Sequence, residues 1–164
     1  MMEFKIRDAV DADFPSVVAL NSSAVHHTSP MEIDRLRHLD SLSTYHKVGI
    51  ADGQVAAFLI AMKDSCGYIN PNYEWFAARY PRFLYVDRIV VSSSHRGLHL
   101  GSRLYDDLFS EARAARIPIV ACEYNVVPPN EPSRMFHDGF GFHEVGTHWV
   151  AGNSKRVSLQ AATI

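Results

Sequence analysis

The residues best suited to chemistry lie in one stretch, Val90-Val-Ser-Ser-Ser-His-Arg-Gly-Leu-His-Leu-Gly-Ser-Arg103. The β-branched run Ile89, Val90, Val91 predicts a strand that gives way to a short polar loop with two glycines. An amphipathic helix is expected to open at about Leu100. Backbone N–H groups in such a loop and in a first helical turn have no partners inside the helix. They therefore offer a ready site for phosphate oxygens. Arg96, Arg103, His95 and His99 add positive charge around that mouth. The chemistry this spacing points to is the binding of a diphosphate-bearing ligand.

Within the stretch, Arg96-Gly97-Leu98-His99-Leu100-Gly101 resembles the acyl-coenzyme A loop of the GNAT N-acetyltransferase superfamily, whose pattern is Gln/Arg-x-x-Gly-x-Gly/Ala. The leading arginine, the final glycine, the preceding strand and the following helix all fit. His99 stands where the family has its middle glycine, the residue that lets the backbone approach the pyrophosphate. A second signature follows in family order. The family's Asn-x-x-Ala-x-x-Leu-Tyr-x-x-x-Gly-Phe reads here as Asn130-Glu-Pro-Ser133-Arg-Met-Phe136-His137-Asp-Gly-Phe-Gly141-Phe142. Ser133 replaces alanine, Phe136 leucine and His137 tyrosine. The two motifs together carry the resemblance, from about Tyr85 to Phe142.

That resemblance implies a fold, a cosubstrate and a set of roles. The cosubstrate is acetyl-coenzyme A. Its pantetheine arm would enter a gap between two splayed strands, here Arg82–Val91 and Ile117–Glu123. Main-chain groups of Ile89, Val90 and Val91 would pair with that arm. Arg96, Gly97, Leu98, His99, Leu100, Gly101 and Ser102 would surround the pyrophosphate, with Asn130, Ser133, Phe136 and His137 as further cofactor contacts. Acyl transfer from a thioester to an amine needs a neutral amine, a polarised carbonyl and a proton for the leaving thiolate. His137 takes the place of the family's tyrosine and is the expected acid. Glu123, Asp87 and Tyr85 compete as base, with Glu123 preferred because a carboxylate is uncommon in a strand. The bland roles are a helix-capping or cofactor-bonding His137, and Asp87–Arg88 or Glu123–Arg134 ion pairs.

Composition narrows the function classes. The 164 residues suit one domain of ordinary size, taken as residues 1–164. Hydrophobic content of 47% and charged content of 21% are those of a globular protein. A net charge of −2 argues against a nucleic-acid partner, which would need a basic face. Cys66 and Cys122 are far apart and form no CxxC pair, and no histidine shows metal-ligand spacing, so no metal is expected. No apolar run reaches membrane-spanning length and the first residues do not read as a signal peptide, which makes the cytoplasm the expected location.

The elements that must position these residues can be read coarsely. Glu3–Arg7 alternates as a strand. Asp11 or Asp13 caps a helix carrying Phe14, Val17, Val18 and Leu20, and Met31–Leu42 repeats the helical period. Tyr45–Ala51 and Gln54–Met62 read as strands joined by an Asp52-Gly53 hairpin. Asp64–Pro81 is an aromatic insertion with a short helix after Pro71. Leu100–Arg116 and Ser133–Gly139 read as helices; Phe142–Val150 and Lys155–Ala161 close the chain as strands. The class is α/β (α+β), a mixed central sheet with splayed middle strands flanked by helices, as in the GNAT fold. The expected function is an N-acetyltransferase that moves acetyl from acetyl-coenzyme A to a primary amine on a small molecule, by direct attack in a ternary complex. A non-catalytic acyl-coenzyme A sensor is the alternative. A nucleotide-binding module ranks third, because no Walker-type lysine follows the loop. A homodimer through the C-terminal strands is compatible with the resemblance.

Overall fold

Asp52 and Gly53 both take positive φ, 51° and 75°, the pair of values a type I′ hairpin turn requires. The turn joins β2 (Tyr45–Ala51) to β3 (Gln54–Lys63), and β1 (Phe4–Asp8) pairs antiparallel along the far side of β2, with Phe4 opposite Ala51. The computed structural model describes residues 3–24, 29–127, 131–150, 152 and 154–164. The other elements are α1 (Phe14–Ser23), α2 (Ile33–Leu42), α3 (Pro71–Ala77), β4 (Leu84–Val91), α4 (Leu100–Ala114), β5 (Ile119–Val127), α5 (Glu131–Asp138), β6 (His143–Val150) and β7 (Lys155–Thr163). The strands run β1-β2-β3-β4-β5-β7-β6 in one mixed sheet. By contacts the chain forms two units, Met1–Met62 with Val86–Glu111, and Lys63–Tyr85 with Ala112–Ile164.

In the first unit, alternation along β2 sends successive side chains to opposite faces. His46 meets the Phe14 ring of α1, with centroids 5.8 Å apart, and its Nδ1 lies 2.7 Å from Asp40 of α2. Tyr45 and Lys47 turn the other way, to α4. The Tyr45 hydroxyl donates to Asp107 at 2.8 Å, and Lys47 reaches Asp107 at 2.9 Å and Glu111 at 2.6 Å. Burial, then Asp107, pushes the Tyr45 phenol far up. Burial pulls the Lys47 ammonium down, but its bonds to Glu111 and Asp107 outweigh that and leave its pKa raised. This clamp fixes α4, and with it the loop that leads into the helix.

In the second unit, the first residues of β4 pair in parallel with β5, Leu84 opposite Val120 and Tyr85 opposite Ala121. β5 and β6 each pair antiparallel with β7. α3 is the helix expected after Pro71. Pro71 sits in its first turn, where a missing N–H costs nothing, and the Asn70 side chain accepts from Asn72 N and Tyr73 N at 2.9 and 3.1 Å. Trp75 packs against Gly146 of β6, so close that a Cβ at 146 would overlap the ring.

β5 is the main departure from the sequence reading. It was expected to end at Glu123, before a polar Tyr-Asn pair. Instead it continues to Val127, because β7 supplies a full antiparallel partner: Glu123 lies opposite Leu159, Tyr124 opposite Ser158 and Asn125 opposite Val157. Elsewhere ends move by a few residues, as in α4, which stops at Ala114 with Arg116 at φ 57°.

Candidate active site

The residues expected to hold phosphates lie in the first unit. After Val91 the chain makes a single 3-10 turn, Ser93–His95, tied to β3 by Ser92 N donating to Ala56 O at 2.7 Å. Arg96, Gly97, Leu98 and His99 are exposed, and Leu100 and Gly101 are buried. Gly97 has φ 84° with open space where a side chain would stand. His99 has φ 58°, in the left-handed region that glycine tolerates best. So the backbone keeps a glycine-like shape where the residue departs from the motif. The His99 carbonyl accepts from Arg103 N at 3.0 Å, which starts the helix. The N–H groups of Leu100, Gly101 and Ser102 then fall in the first turn, whose donors a helix cannot satisfy itself. Arg103 is stacked over the Phe4 ring at 4.5 Å.

Asp87 and Arg88 also lie in this unit, with side chains only 6% and 7% exposed. Arg88 Nε donates to Asp87 at 3.2 Å, as the bland reading of that pair expected. Its Nη1 donates to the Ser29 carbonyl at 2.5 Å and to Asn21 Oδ1 at 3.2 Å, and Asn21 Nδ2 donates to the same carbonyl at 2.9 Å. The guanidinium thereby fastens the chain at Ser29, just before α2, to β4. A groove of about 740 Å³ beside α1 is lined by Lys5, Arg7, Ser16, Gln54, Ser92 and Ser93 among others, and by none of the four catalytic candidates.

Two candidates for base that the sequence set against each other are brought together in the second unit. The Tyr85 hydroxyl donates to Glu123 Oε2 at 2.6 Å. Tyr85 is fully buried, its ring 5.7 Å from Tyr73, 5.9 Å from Phe76 and 6.5 Å from Tyr68. Glu123 follows Ala121 by two residues and so shares the face that Tyr85 faces. An ionised carboxylate only accepts, and the Tyr85 O–H occupies one of its acceptor positions.

His137 sits on α5, 4% exposed, among the rings of Tyr124, Phe136 and Phe142. Its Nδ1 is 2.7 Å from the Ser133 carbonyl and 3.2 Å from Ser133 Oγ. A carbonyl only accepts, so Nδ1 carries the proton and Nε2 of the neutral ring carries a lone pair. Burial lowers the His137 pKa, more than the Ser133 carbonyl and Asp138 raise it. Ser133 and Phe136 are half-buried beside it, and Asn130 lies outside the described residues. Tyr124, which the sequence reading did not single out, is a buried strand residue packed edge-on to His137, with centroids 5.8 Å apart. The alternation through Cys122 and Tyr124 was the signal that could have found it. Among the described residues no group of three His, Cys, Asp or Glu could hold a metal ion, and no helix is long and apolar enough to cross a membrane.

A sequence model of the acetyltransferase (GNAT) family matches residues 6–142, a span that runs through both units. The chain belongs to this family. Its fold is shared by Ard1 from Thermoplasma volcanium, with a TM-score of 0.81 at 16% identity over 98% of this chain and 97% of that one. The ribosomal-protein-S18-alanine N-acetyltransferase of Escherichia coli gives a TM-score of 0.75 at 14% identity over 99% and 94%. The protein yncA from Salmonella typhimurium, solved with its cofactor acetyl-CoA, gives 0.72 at 17% over 98% and 94%. None of the curated proteins compared with the chain matches it in sequence.

Proposed function

We propose that the protein transfers an acetyl group from acetyl-coenzyme A to a primary amine on a small molecule, by direct attack without an acyl-enzyme. The observation that carries this is the Tyr85–Glu123 hydrogen bond. An amine must lose a proton before its lone pair can attack the thioester carbonyl, and in this reading Glu123, the carboxylate held by Tyr85, takes it. As the C–N bond forms, the C–S bond breaks and its electron pair leaves on sulfur. The loop from Arg96 to Gly101 supports acyl-coenzyme A as donor, since Gly97 and His99 hold the backbone turn and the first N–H groups of α4 follow. In this reading His137 is a positioning residue, which shapes α5 through its bond to Ser133. α3 favours a small acceptor, because its aromatic side chains crowd the face around Tyr85.

The test supplies acetyl-coenzyme A with a panel of small primary amines and follows free thiol and acetylated amine. Amine-dependent release of thiol is expected. Binding of acetyl-coenzyme A without any release would make the protein a sensor instead.

A further inference from the structure

The groove beside α1 is built from side chains that the proposed chemistry does not use. Its floor is a row across three strands. Lys5 of β1 lies opposite Ile50 of β2, and Ile50 opposite Val55 of β3. A β-bulge sets that row, because Gly49 pairs with Ala57 and Ile50 with Val55, so that Ala56 is skipped. The wall is one face of α1, where Ser16, Ala19 and Ser23 recur at helical spacing.

The β1 side of the groove is cationic. Arg7 follows Lys5 by two residues and shares its face. Its Nη1 and Nη2 donate to Asp13 at 2.7 and 2.9 Å, and Nη1 also donates to the Asp8 carbonyl at 3.1 Å. The Asp13 side chain is only 8% exposed, so the guanidinium is held against a buried carboxylate. That leaves Nε–H and one N–H of Nη2 uncommitted, a fork that fits two oxygens of one phosphate. Asp13 is the one carboxylate among the lining residues and is matched by Arg7. Lys5 makes no ion pair among the described residues, so the groove keeps one positive charge.

The β4 side is neutral. Ser92 and Ser93 line it, with Gln54 at the hairpin. Hydroxyls and a primary amide both donate and accept, which complements a hydroxyl-bearing body. β1 and β4 are three strand spacings apart, about 14 Å. The volume of about 740 Å³ is that of a small-molecule site.

We propose that the groove is a second ligand site for an extended phosphate ester of a polyol, and that its occupant braces the entry to the cofactor loop. The phosphate sits on Lys5 and Arg7, and the hydroxyls run toward Ser92 and Ser93. Ser92 N donates to the carbonyl of the skipped Ala56 at 2.7 Å, which ties the 3-10 turn Ser93–His95 to β3. Val55 and Ser92, on either side of that bond, both line the groove. The brace rests on the acetyl-coenzyme A reading above, whereas the binding site does not.

The test follows backbone amide NMR shifts of the full chain titrated with inorganic phosphate and with glucose 6-phosphate, at constant ionic strength. Saturable shifts at Lys5, Arg7 and Ser16 are expected from both, and at Ser92 and Ser93 from the ester alone. Lys5→Gln should weaken binding of the ester about tenfold. Ala19→Phe, at an exposed position of α1, fills the groove with a ring and should abolish binding; it is the second variant. Shifts confined to Arg96–Ser102, or unchanged affinity in both variants, would overturn the site. Calorimetry then gives the Kd of acetyl-coenzyme A with and without the ester. It should tighten about fivefold in wild type and not in Lys5→Gln. No tightening in wild type would overturn the brace. No binding of acetyl-coenzyme A at all would overturn the acetyl-transfer reading and the brace with it, while the groove stood on the shifts alone.

Discussion

At the scale of single residues, the phosphate loop shows what a sequence motif does and does not carry. His99 breaks the glycine pattern, yet its φ of 58° is the conformation glycine would supply. Holding a side chain in that region costs about 1–2 kcal/mol, partly offset by the greater backbone entropy glycine loses on folding. His99→Gly should therefore stabilise the protein slightly, by about 0.5 kcal/mol, as a higher denaturation midpoint with an unchanged m-value. Loss of stability would mean that the exposed imidazole makes contacts worth more than the strain. His137 gives a second prediction. Burial lowers its folded-state pKa below the unfolded value near 6.5, as burial and Arg79 do for His148. Between the two values the unfolded chain binds more protons, so stability is full above about pH 6.5 and falls as pH drops through that window. Chemical denaturation from pH 7.5 to pH 5 should show this slope, and His137→Phe should flatten part of it. An unchanged slope would remove His137 as a contributor. The candidates Glu123, Tyr85 and His137 could be picked out from residue type and spacing. Their pairing could not, because a tautomer and a cross-strand hydrogen bond are properties of neighbours that the local sequence does not name.

At the scale of elements, legibility follows how local the cause is. The Asp52-Gly53 hairpin and the Asn70-Pro71 start of α3 are set by the residues themselves, and both appear where the sequence puts them. β5 runs four residues past its expected end because β7, more than thirty residues away in sequence, completes its ladder. The two bulges in the β7 pairings, at Val126 and Val145, leave no mark in composition. α3 is held on β6 by Trp75 over Gly146 and by a hydrogen bond between His148 and Asn72. Gly146→Ala forces a methyl group into the Trp75 ring and should cost about 1–3 kcal/mol. If α3 bounds the acceptor side, the same change should raise KM for the amine more than KM for acetyl-coenzyme A. Equal effects on both would give α3 a purely structural part.

At the scale of the whole molecule, a family sequence model over residues 6–142 and a seven-stranded mixed sheet agree on the acetyltransferase (GNAT) family. What the structure adds is the placement of two side chains on β5. Glu123 and Tyr124 are adjacent in that strand, so alternation sends them to opposite faces, the first to Tyr85 and the second to Ser158. The central claim is that Glu123 takes the proton from the amine. The most direct measurement is the pH dependence of kcat for amine-dependent thiol release, compared between wild type and Glu123→Gln. The account predicts that Glu123→Gln lowers kcat by about 10²-fold at neutral pH and removes the acid limb of the profile, with acetyl-coenzyme A still bound. A Glu123→Gln protein with wild-type kcat and an unshifted profile would contradict it.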